Sequence, residues 1–364
     1  MYTEHRLIEK DSRGLFDLKD NSIDLVVTSP PYPMIEMWDN LFSSLNSEIS
    51  NSLDSGDKYL SFELMHIELD KVWDGLHRVM KNGSFLCINI GDAARKAKDR
   101  FQLFANHSRI QNKLYQIGFD VLPSILWRKQ TNAPTKFMGS GMLPAGAYVT
   151  MEHEYILIFR KGKKREFTSC NEKLNRMESA LFWEERNMWY SDLWEDLKGA
   201  KQATDEKDLK RRSAAYPFLL PYRLINMYSV FGDTILDPFL GTGTTAFAAM
   251  ACGRNSIGYE QDPAFAQSIR DKAGDDILSL NNNSIQRINK HLLFINNFKK
   301  GKTIFKYIND FFGFPVMTRQ ERKMKLKFIE SANVLSDNLF RIDYLNDQNV
   351  LNMGLGKQFV DNIS

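Results

Sequence analysis

Short runs of apolar residues alternate with helix-like patterns along this chain. Ile23–Val27 is a β-branched run that is typical of a buried strand. Pro30 and Pro31 follow closely and force an extended turn after it. From Leu64 to Met80 the apolar positions keep helical spacing, and Lys81-Asn82-Gly83 supplies a C-terminal stop. The pattern therefore predicts a strand, a loop and a long helix in this part of the chain.

The alternation continues over most of the sequence. Further strands are predicted at Arg6–Lys10, Phe85–Ile90, Val121–Trp127, Tyr155–Phe159, Ile235–Leu236 and Ser256–Tyr259. An Ala-rich helix is predicted at Ala246–Cys252, and the segment Ser43–Lys58, rich in Ser, Asn and Asp, is predicted to be a mobile loop. Strands that alternate with helices predict an α/β fold, with a parallel sheet covered by helices on both faces.

Composition narrows the class of protein. The 364 residues suffice for one large α/β domain with an accessory piece, and 43% hydrophobic with 26% charged residues is ordinary for a globular chain. The net charge is only +3, so any nucleic-acid surface must be a local patch. The three cysteines are far apart, which predicts no disulfide framework and no metal site and suits a reducing, cytoplasmic location. No apolar run is long enough to predict a membrane span, and the charged N-terminus is unlike a signal peptide.

A strand–loop–helix unit at residues 234–252 carries the strongest ligand-binding signal. In its loop, Gly241 and Gly243 allow a sharp turn and a close approach of a ligand to the backbone. Asp237 ends the strand before the loop, and Glu260 ends the next strand 23 positions later, where a carboxylate can accept hydrogen bonds from ribose hydroxyls. The loop has neither the third glycine of GxGxxG nor a P-loop lysine, so it favours a ligand with a ribose and without phosphates. An isolated Gly-Thr-Gly would equally be a tight turn, and the flanking acids favour the ligand site.

The tetrad Ser29-Pro30-Pro31-Tyr32 follows the first buried strand and has a specific chemical interpretation. An exocyclic amino nitrogen of cytosine or adenine is a poor nucleophile, because its lone pair is delocalised into the ring. The Ser29 hydroxyl and the Pro30 carbonyl can accept hydrogen bonds from its two N–H groups, and Pro31 has no backbone N–H that would compete. Tyr32 can stack on a base that has been taken out of the helix. A plain proline turn at a strand end is the alternative.

Together the two motifs resemble those of the amino-methyltransferases of bacterial DNA modification. The order, with Ser-Pro-Pro-Tyr upstream of Asp-Pro-Phe-Leu-Gly-Thr-Gly, is similar to the β subgroup, in which the same sheet is circularly permuted. The resemblance covers most of residues 5–161 and 213–263, with further matching segments at Leu76–Gly83, Glu154–Lys161 and Tyr216–Ile225. One departure is Arg212-Ser213, where many relatives have His-Pro.

The resemblance implies a Rossmann-like S-adenosylmethionine-dependent methyltransferase sheet with a target-recognition insertion and a C-terminal extension. The implied regions are a catalytic half at 1–162, a variable target-recognition region at 163–212, a cofactor-binding half at 213–275 and a basic extension at 276–364. The implied catalytic residues are Ser29, Pro30, Pro31 and Tyr32. The implied cofactor-binding residues are Asp11, Pro217, Asp237, Pro238, Phe239, Gly241, Gly243, Thr244 and Glu260.

The implied activity is site-specific methylation of the N4 of cytosine in double-stranded DNA by base flipping, because adenine-N6 relatives more often carry Asp or Asn at the position of Ser29. An adenine-N6 enzyme remains an alternative, since both amino groups need the same two acceptors. A methyltransferase for protein side-chain amides is disfavoured by the motif order. An inactive DNA-binding regulator is disfavoured by the intact Ser29, Asp237, Gly241 and Gly243. A cognate restriction endonuclease is a possible functional partner, and both a monomer and a homodimer stay open.

Two stretches of the chain have an excess of positive charge. Between Arg95 and Lys136 nine Lys/Arg face two Asp, which gives +7. Between Asn281 and Glu330 eleven Lys/Arg face three acids, which gives +8. Neutralisation of DNA phosphates is one interpretation, and solvated helix faces are the other. We predict that the second stretch and the region 163–212 supply much of the DNA contact.

Overall fold

A computed structural model of the chain describes residues 1–97, 100–129, 138–198, 216–275, 277–299 and 305–355. The region boundaries predicted at 212/213 and 275/276 fall at or beside the undescribed residues, and Arg212-Ser213 lies outside the described ones. The strands are β1 (Tyr2–Ile8), β2 (Ile23–Thr28), β3 (Met80–Ile90), β4 (Ala93–Ala97), β5 (Arg100–Phe104), β6 (Phe119–Arg128), β7 (Met138–Gly139), β8 (Ala147–Tyr148), β9 (His153–Lys161), β10 (Leu193–Trp194), β11 (Thr234–Asp237), β12 (Asn255–Tyr259), β13 (Tyr307–Ile308), β14 (Pro315–Val316), β15 (Ile329–Ser336) and β16 (Leu339–Tyr344).

Helices surround these strands. The α-helices are Asp39–Leu45, Ser47–Asp54, Lys58–Val79, Asn106–Gln116, Cys170–Glu178, Trp183–Trp189, Leu219–Tyr228, Thr244–Cys252, Pro263–Asp275, Asn281–Lys299 and Asp347–Asn352. Short 3-10 helices lie at Glu36–Trp38, Ile277–Leu280 and Arg319–Lys323. Within the described residues, no helix combines the length and the apolar character that crossing a membrane requires.

One ten-stranded sheet organises the molecule, in the order β10-β6-β9-β3-β2-β11-β12-β1-β16-β15. The five central strands, from β3 to β1, are parallel to one another. Antiparallel strands flank them, with β9 beside β3 and β16 beside β1. The predicted α/β fold is confirmed, and the antiparallel flanks are an addition that the pattern did not predict.

Helices cover both faces of the central strands. All six residues of β2 are buried, as expected for a strand that is packed on two sides. On one face the helix Lys58–Val79 buries Trp73 and Leu76 against the sheet. On the other face the helices Leu219–Tyr228 and Thr244–Cys252 enclose a second core. This two-sided burial leaves the carboxyl ends of the strands as the natural place for a site.

The segment Ser43–Lys58 is not a loop, and that prediction is wrong. It is mostly helical, and its polar residues act as caps. The Asn46 side chain accepts a hydrogen bond from the Glu48 amide, and Asp57 accepts one from the Leu60 amide at the start of the long helix. Ile49 is completely buried, which ties the segment to the core. Residues that favour turns thus also favour helix starts, and the composition alone did not separate the two.

The described part of the region 163–212 packs against the C-terminal part of the chain. Glu185 and Arg287 form a buried ion pair with a closest N–O distance of 2.6 Å. The Phe182 ring stacks on His291 at 4.0 Å. Trp189 and Trp194 are core residues, while Trp183 is partly exposed. Since β15 and β16 also join the main sheet, the described residues 277–299 and 305–355 are integrated into the fold.

Candidate functional site

Four loops meet where the parallel strands end. Asp11 follows β1, Ser29 follows β2, Asp237 is the last residue of β11 and Glu260 follows β12. These strands are neighbours in the order β2-β11-β12-β1, so their carboxyl ends lie at the same edge of the sheet. A cavity of about 350 Å³ opens between the loops. It lies at the edge where open α/β sheets bind their ligands.

The cavity brings together most of the residues that the sequence singled out. Its walls include Asp11, Ser29, Pro30, Pro31, Pro238, Phe239, Gly241, Thr244 and Glu260. Four predicted site residues stand behind the walls, namely Tyr32, Pro217, Asp237 and Gly243. The tetrad and the glycine loop therefore face one common space, although about two hundred residues separate them in sequence.

Asp237 organises the glycine loop from behind. Its carboxylate accepts hydrogen bonds from Thr28 Oγ1 and Thr245 Oγ1, each at 2.6 Å, and from the Phe239 amide at 3.0 Å. The Tyr216 hydroxyl donates a further bond at 3.3 Å. Burial raises the pKa of Asp237, and these donors oppose the rise because they favour the charged form. The bond to Thr28 joins the glycine loop directly to the strand that carries the tetrad.

The two glycines of the loop do different work. Gly241 has φ +54°, and a Cβ placed there would meet no described atom within 4 Å, so its position is open to a ligand. Gly243 has φ +82° and begins the helix Thr244–Cys252. A Cβ at Gly243 would lie 2.9 Å from Ile269 and 3.0 Å from Phe247. Gly241 therefore suits close approach of a ligand, whereas Gly243 is required by the turn and by helix packing.

Glu260 presents a carboxylate at the cavity wall. One oxygen accepts a hydrogen bond from the Gly241 amide at 2.8 Å, and the other accepts one from the Asp262 amide at 2.7 Å. Burial raises the pKa of Glu260 to about 7, against the effect of these amides. A carboxylate has about four acceptor positions, so lone pairs remain for hydroxyl donors of a ligand.

Asp11 stands at the rim in a fixed orientation. It accepts the Arg13 amide at 2.9 Å and Arg13 Nε at 2.7 Å. Arg13 also donates to the buried Glu68 at 2.7 Å. These bonds from Arg13 hold the Asp11 carboxylate in the wall of the cavity, which Glu260 lines from the end of the neighbouring strand β12.

The remaining wall is largely apolar, and sequence analysis missed much of it. The segment after the tetrad contributes Met37, Trp38, Leu41, Phe42 and Leu45. Flat and aliphatic walls between carboxylates suit a ligand that carries an aromatic ring together with hydroxyl or ammonium donors. The four carboxylates of this lining, Asp11, Glu68, Glu260 and Asp262, disfavour a polyphosphate. No motif identified this wall, because residues 37–42 matched no predicted element and Leu45 fell within the predicted loop Ser43–Lys58.

Tyr216 is a cavity residue that the sequence placed only indirectly. Its buried hydroxyl bonds to Asp237 and to Thr245. Its neighbour Pro217 accepts the Leu220 amide at 2.9 Å at the entry to the following helix. Pro217 itself does not line the cavity, whereas the side chain of its neighbour Tyr216 does.

Behind Ser29 lies a network that the motifs did not reveal. The Tyr32 hydroxyl accepts bonds from Ser29 Oγ at 3.2 Å and from Asn89 Nδ2 at 2.8 Å. It donates to Glu154 Oε2 at 3.0 Å. Lys129 pairs with the other oxygen of Glu154 at 2.7 Å. One signal was available, since Asn89 is a polar residue inside an otherwise apolar predicted strand.

Comparisons with known proteins agree with this geometry. A family model described as DNA methylase, N6_N4_Mtase, matches residues 23–271. The chain is 52% identical over 345 residues to the Type II methyltransferase M.MthZI of Methanothermobacter thermautotrophicus, covering 94% of this chain and 96% of that protein. It is 49% identical over 283 residues to the Type II methyltransferase M.MjaI of Methanocaldococcus jannaschii, covering 75% and 92%. The structure of a DNA modification methylase from Thermus thermophilus, complexed with S-adenosyl-L-methionine, superposes with a TM-score of 0.57 at 31% identity, covering 74% and 92%.

Proposed function

Since this chain belongs to the N6_N4_Mtase family of DNA methylases, we propose that it methylates the N4 of cytosine at a specific site in double-stranded DNA. The enzyme is a Type II DNA methyltransferase, and its cofactor is S-adenosylmethionine. The observation that supports methylation of an amino group is the position of Ser29 and Pro30 in the wall of the cavity. The choice of cytosine rests on serine at the first tetrad position.

The cavity fits the cofactor, and its walls have distinct tasks. Glu260 would offer acceptors to the ribose hydroxyls, Asp11 would contact the adenine, and Gly241 would let the ligand approach the backbone. When bound, S-adenosylmethionine supplies a methyl group on a sulfonium, which is transferred as the amino nitrogen forms the new C–N bond. The protein holds the two reactants in line, and most of its catalytic effect comes from that positioning.

Ser29 and Pro30 act on the target amino group. The Ser29 hydroxyl and the Pro30 carbonyl accept hydrogen bonds from its two N–H groups and draw the nitrogen toward tetrahedral geometry. The base must leave the helix to reach them. Tyr32 stands directly behind Ser29 and supports the base by stacking. Adenine-N6 methylation is the second candidate, because an adenine amino group offers the same two N–H bonds to Ser29 and Pro30.

An exposed apolar hairpin formed by β7 and β8 is our candidate for contact with DNA. Met142, Leu143 and Val149 are 86%, 71% and 90% exposed, which is unusual for residues of this size. The hairpin is braced by stacking of Tyr148 on Phe101 at 4.8 Å. It runs directly into β9, which carries part of the network behind Ser29. We infer that its apolar tip inserts between bases and helps to extrude the target.

For the four regions we propose the roles that the resemblance implies. We propose a catalytic half at 1–162, target recognition by 163–212, a cofactor-binding half at 213–275 and an extension at 276–364 that contributes to DNA contact. The order of these parts would be the circular permutation of the β subgroup. A cognate restriction endonuclease would act on the same site, and location in the cytoplasm would give access to chromosomal DNA. Both a monomer and a homodimer are compatible with this role.

Sequencing of DNA from cells that express the protein, with detection of modified bases, tests the proposal. We expect N4-methylcytosine at one short recognition site. N6-methyladenine at a defined site would instead support the second candidate. DNA without either base, from cells that contain the folded protein, would contradict both. Replacement of Met142 and Leu143 by serine should weaken DNA binding while calorimetry shows unchanged cofactor affinity.

A further inference from the structure

The network behind Ser29 determines where the Ser29 proton lies. A phenolic hydroxyl has one proton to donate and two lone pairs with which to accept. Tyr32 uses all three, because it accepts from Ser29 and Asn89 and donates to Glu154. It has no second proton to offer, so Ser29 is the donor in the bond between them.

Glu154 sets the direction of this chain of bonds. Its carboxylate accepts from Tyr32 at 3.0 Å, from Asn89 at 2.7 Å and from Lys129 at 2.7 Å. The amide of Asn89 has one acceptable orientation, because a flip would place its oxygen against the carboxylate. Burial and the Glu154 carboxylate both raise the pKa of Tyr32 well above its ordinary value, so its hydroxyl stays protonated.

We propose that Glu154, acting through Tyr32, is a positioning residue that makes Ser29 an acceptor toward the target amino group and takes up the proton which that group releases. With its own proton held by Tyr32, Ser29 keeps both lone pairs for the cavity that it lines. A serine hydroxyl without such a partner could turn its proton toward the amino nitrogen and compete with acceptance. The proposal rests on the proposed role of Ser29 in amino-group methylation.

The proton movement balances. The methylated nitrogen carries a positive charge until it gives up one N–H proton. That proton passes to Ser29 Oγ, while Ser29 gives its own proton to Tyr32 and Tyr32 gives its own to Glu154. One proton leaves the nitrogen, one arrives on the carboxylate, and the two hydroxyls are unchanged in number of protons. Glu154 is 13% exposed, which allows the proton to leave for solvent after turnover.

A double-mutant cycle under single-turnover conditions tests the proposal. Tyr32→Phe keeps the ring and removes the link, and Glu154→Gln keeps the size and removes the charge. We expect each variant to slow methylation about ten-fold or more. The double variant should be no slower than the slower single one, because both break the same chain. Affinities for S-adenosylmethionine and for DNA should stay within about two-fold of wild type, whereas a purely structural role would lower them as well.

Glu152→Gln is the matched control. It makes the same change two positions away, in a more exposed residue that pairs with Arg128 at 3.4 Å and has no bond to Tyr32, and it should leave the rate unchanged. Multiplicative losses in the cycle, or a wild-type rate in Glu154→Gln, would overturn the proposal. If Glu154→Gln does not fold, the cycle of Tyr32→Phe with Ser29→Ala serves instead, and losses that multiply there also overturn it.

Failure of this proposal can be told apart from failure of the proposed function. A Ser29→Ala enzyme with an unchanged single-turnover rate would remove the assigned role of Ser29 and the relay with it. A slow Ser29→Ala enzyme whose loss multiplies with that of Glu154→Gln would leave the role of Ser29 intact and remove the relay alone.

Discussion

The two sides of the cavity hold their functional groups in opposite ways. The cofactor side, formed by Asp11, the loop 237–244 and Glu260, presents carboxylates that keep acceptor positions open after bonding to backbone amides. The tetrad side, formed by Ser29–Tyr32 with Asn89 and Glu154, commits the Tyr32 hydroxyl completely to neighbouring side chains. The contrast teaches that binding a ligand needs open acceptors, whereas managing a proton needs donors that are fixed in direction.

This contrast makes separable predictions. Changes on the cofactor side should alter affinity for S-adenosylmethionine, and changes on the tetrad side should alter the rate of transfer at constant affinity. Both quantities are measurable on one preparation, by calorimetry and by single-turnover methylation.

Gly241→Val should have the largest effect. Valine at φ +54° is strained, and its side chain would enter the open space where the ligand approaches. We expect affinity for S-adenosylmethionine to fall by about 100-fold or more. Gly232→Val is the matched control, because Gly232 has φ +80° and equally open surroundings but is not part of the cavity. Equal loss of affinity in the two variants would mean that strain alone explains the effect.

Ser29→Ala should have the next largest effect, on rate only. Loss of one of two acceptors should cost about 1–3 kcal/mol in the transition state, which is about ten- to a hundred-fold in rate. Activity should persist because the Pro30 carbonyl remains. Ser22→Ala, at the other end of β2, should transfer methyl groups at the wild-type rate. A Ser29→Ala enzyme with reduced cofactor affinity would contradict the division between the two sides.

The pH dependence of cofactor binding should report on Glu260. Its pKa of about 7 in the free protein exceeds the ordinary value of 4.5, so it is partly protonated near neutrality. Hydroxyl donors favour the charged form, so affinity should rise with pH and level off above the pKa. Between pH 6 and pH 8 we expect about a ten-fold gain. Glu260→Gln should bind more weakly and lose this dependence; a retained dependence would assign it to another group.

The same shift has the opposite effect on the free protein. Because folding raises the pKa of Glu260, the neutral form is the one that the fold favours. Its contribution to stability is therefore fully present below about pH 4.5 and is lost as the pH rises through about 7. Thermal unfolding of wild type and Glu260→Gln across this range should diverge toward high pH, with wild type becoming relatively less stable.

The smallest effect is expected for a change that lies outside both sides of the cavity. Arg322 and Lys323 count toward the second basic stretch, but both pair with Asp310. Replacement of both by glutamine should leave the rate and cofactor affinity unchanged. The slope of log DNA affinity against log salt should change by clearly less than the value of about 0.9 per charge that free phosphate contacts would give. A change of nearly two would show that these charges contact DNA.

The basic stretches show why counting charge along a sequence misleads. Arg95 pairs with Asp39, and Arg109 pairs with Glu63 and Asp70. None of these acids lies within the stretch in which the two arginines were counted. The fold supplies the neutralising groups from distant segments, so net charge in a window does not predict free charge on the surface. The contact of the second stretch with DNA stays a prediction.

The central fold was predictable because its signals are local. Apolar runs located the buried strands, and the glycine loop after β11 and the tetrad after β2 both fell at strand ends. The network behind Ser29 was not predictable in this way, since Glu154 lies 122 positions from Tyr32. Register places them side by side, because β3, which carries Asn89, pairs with β9. The spacing of these residues in the sequence does not predict this contact.

The bond between Thr28 and Asp237 joins residues 209 positions apart. Because this junction is made between adjacent strands, it does not depend on which half of the protein is translated first. A gene rearranged so that the cofactor-binding half came first could rebuild the same junction. The fold therefore depends on the pair itself, since loss of the hydroxyl at position 28 would leave the buried carboxylate one donor short in either gene order.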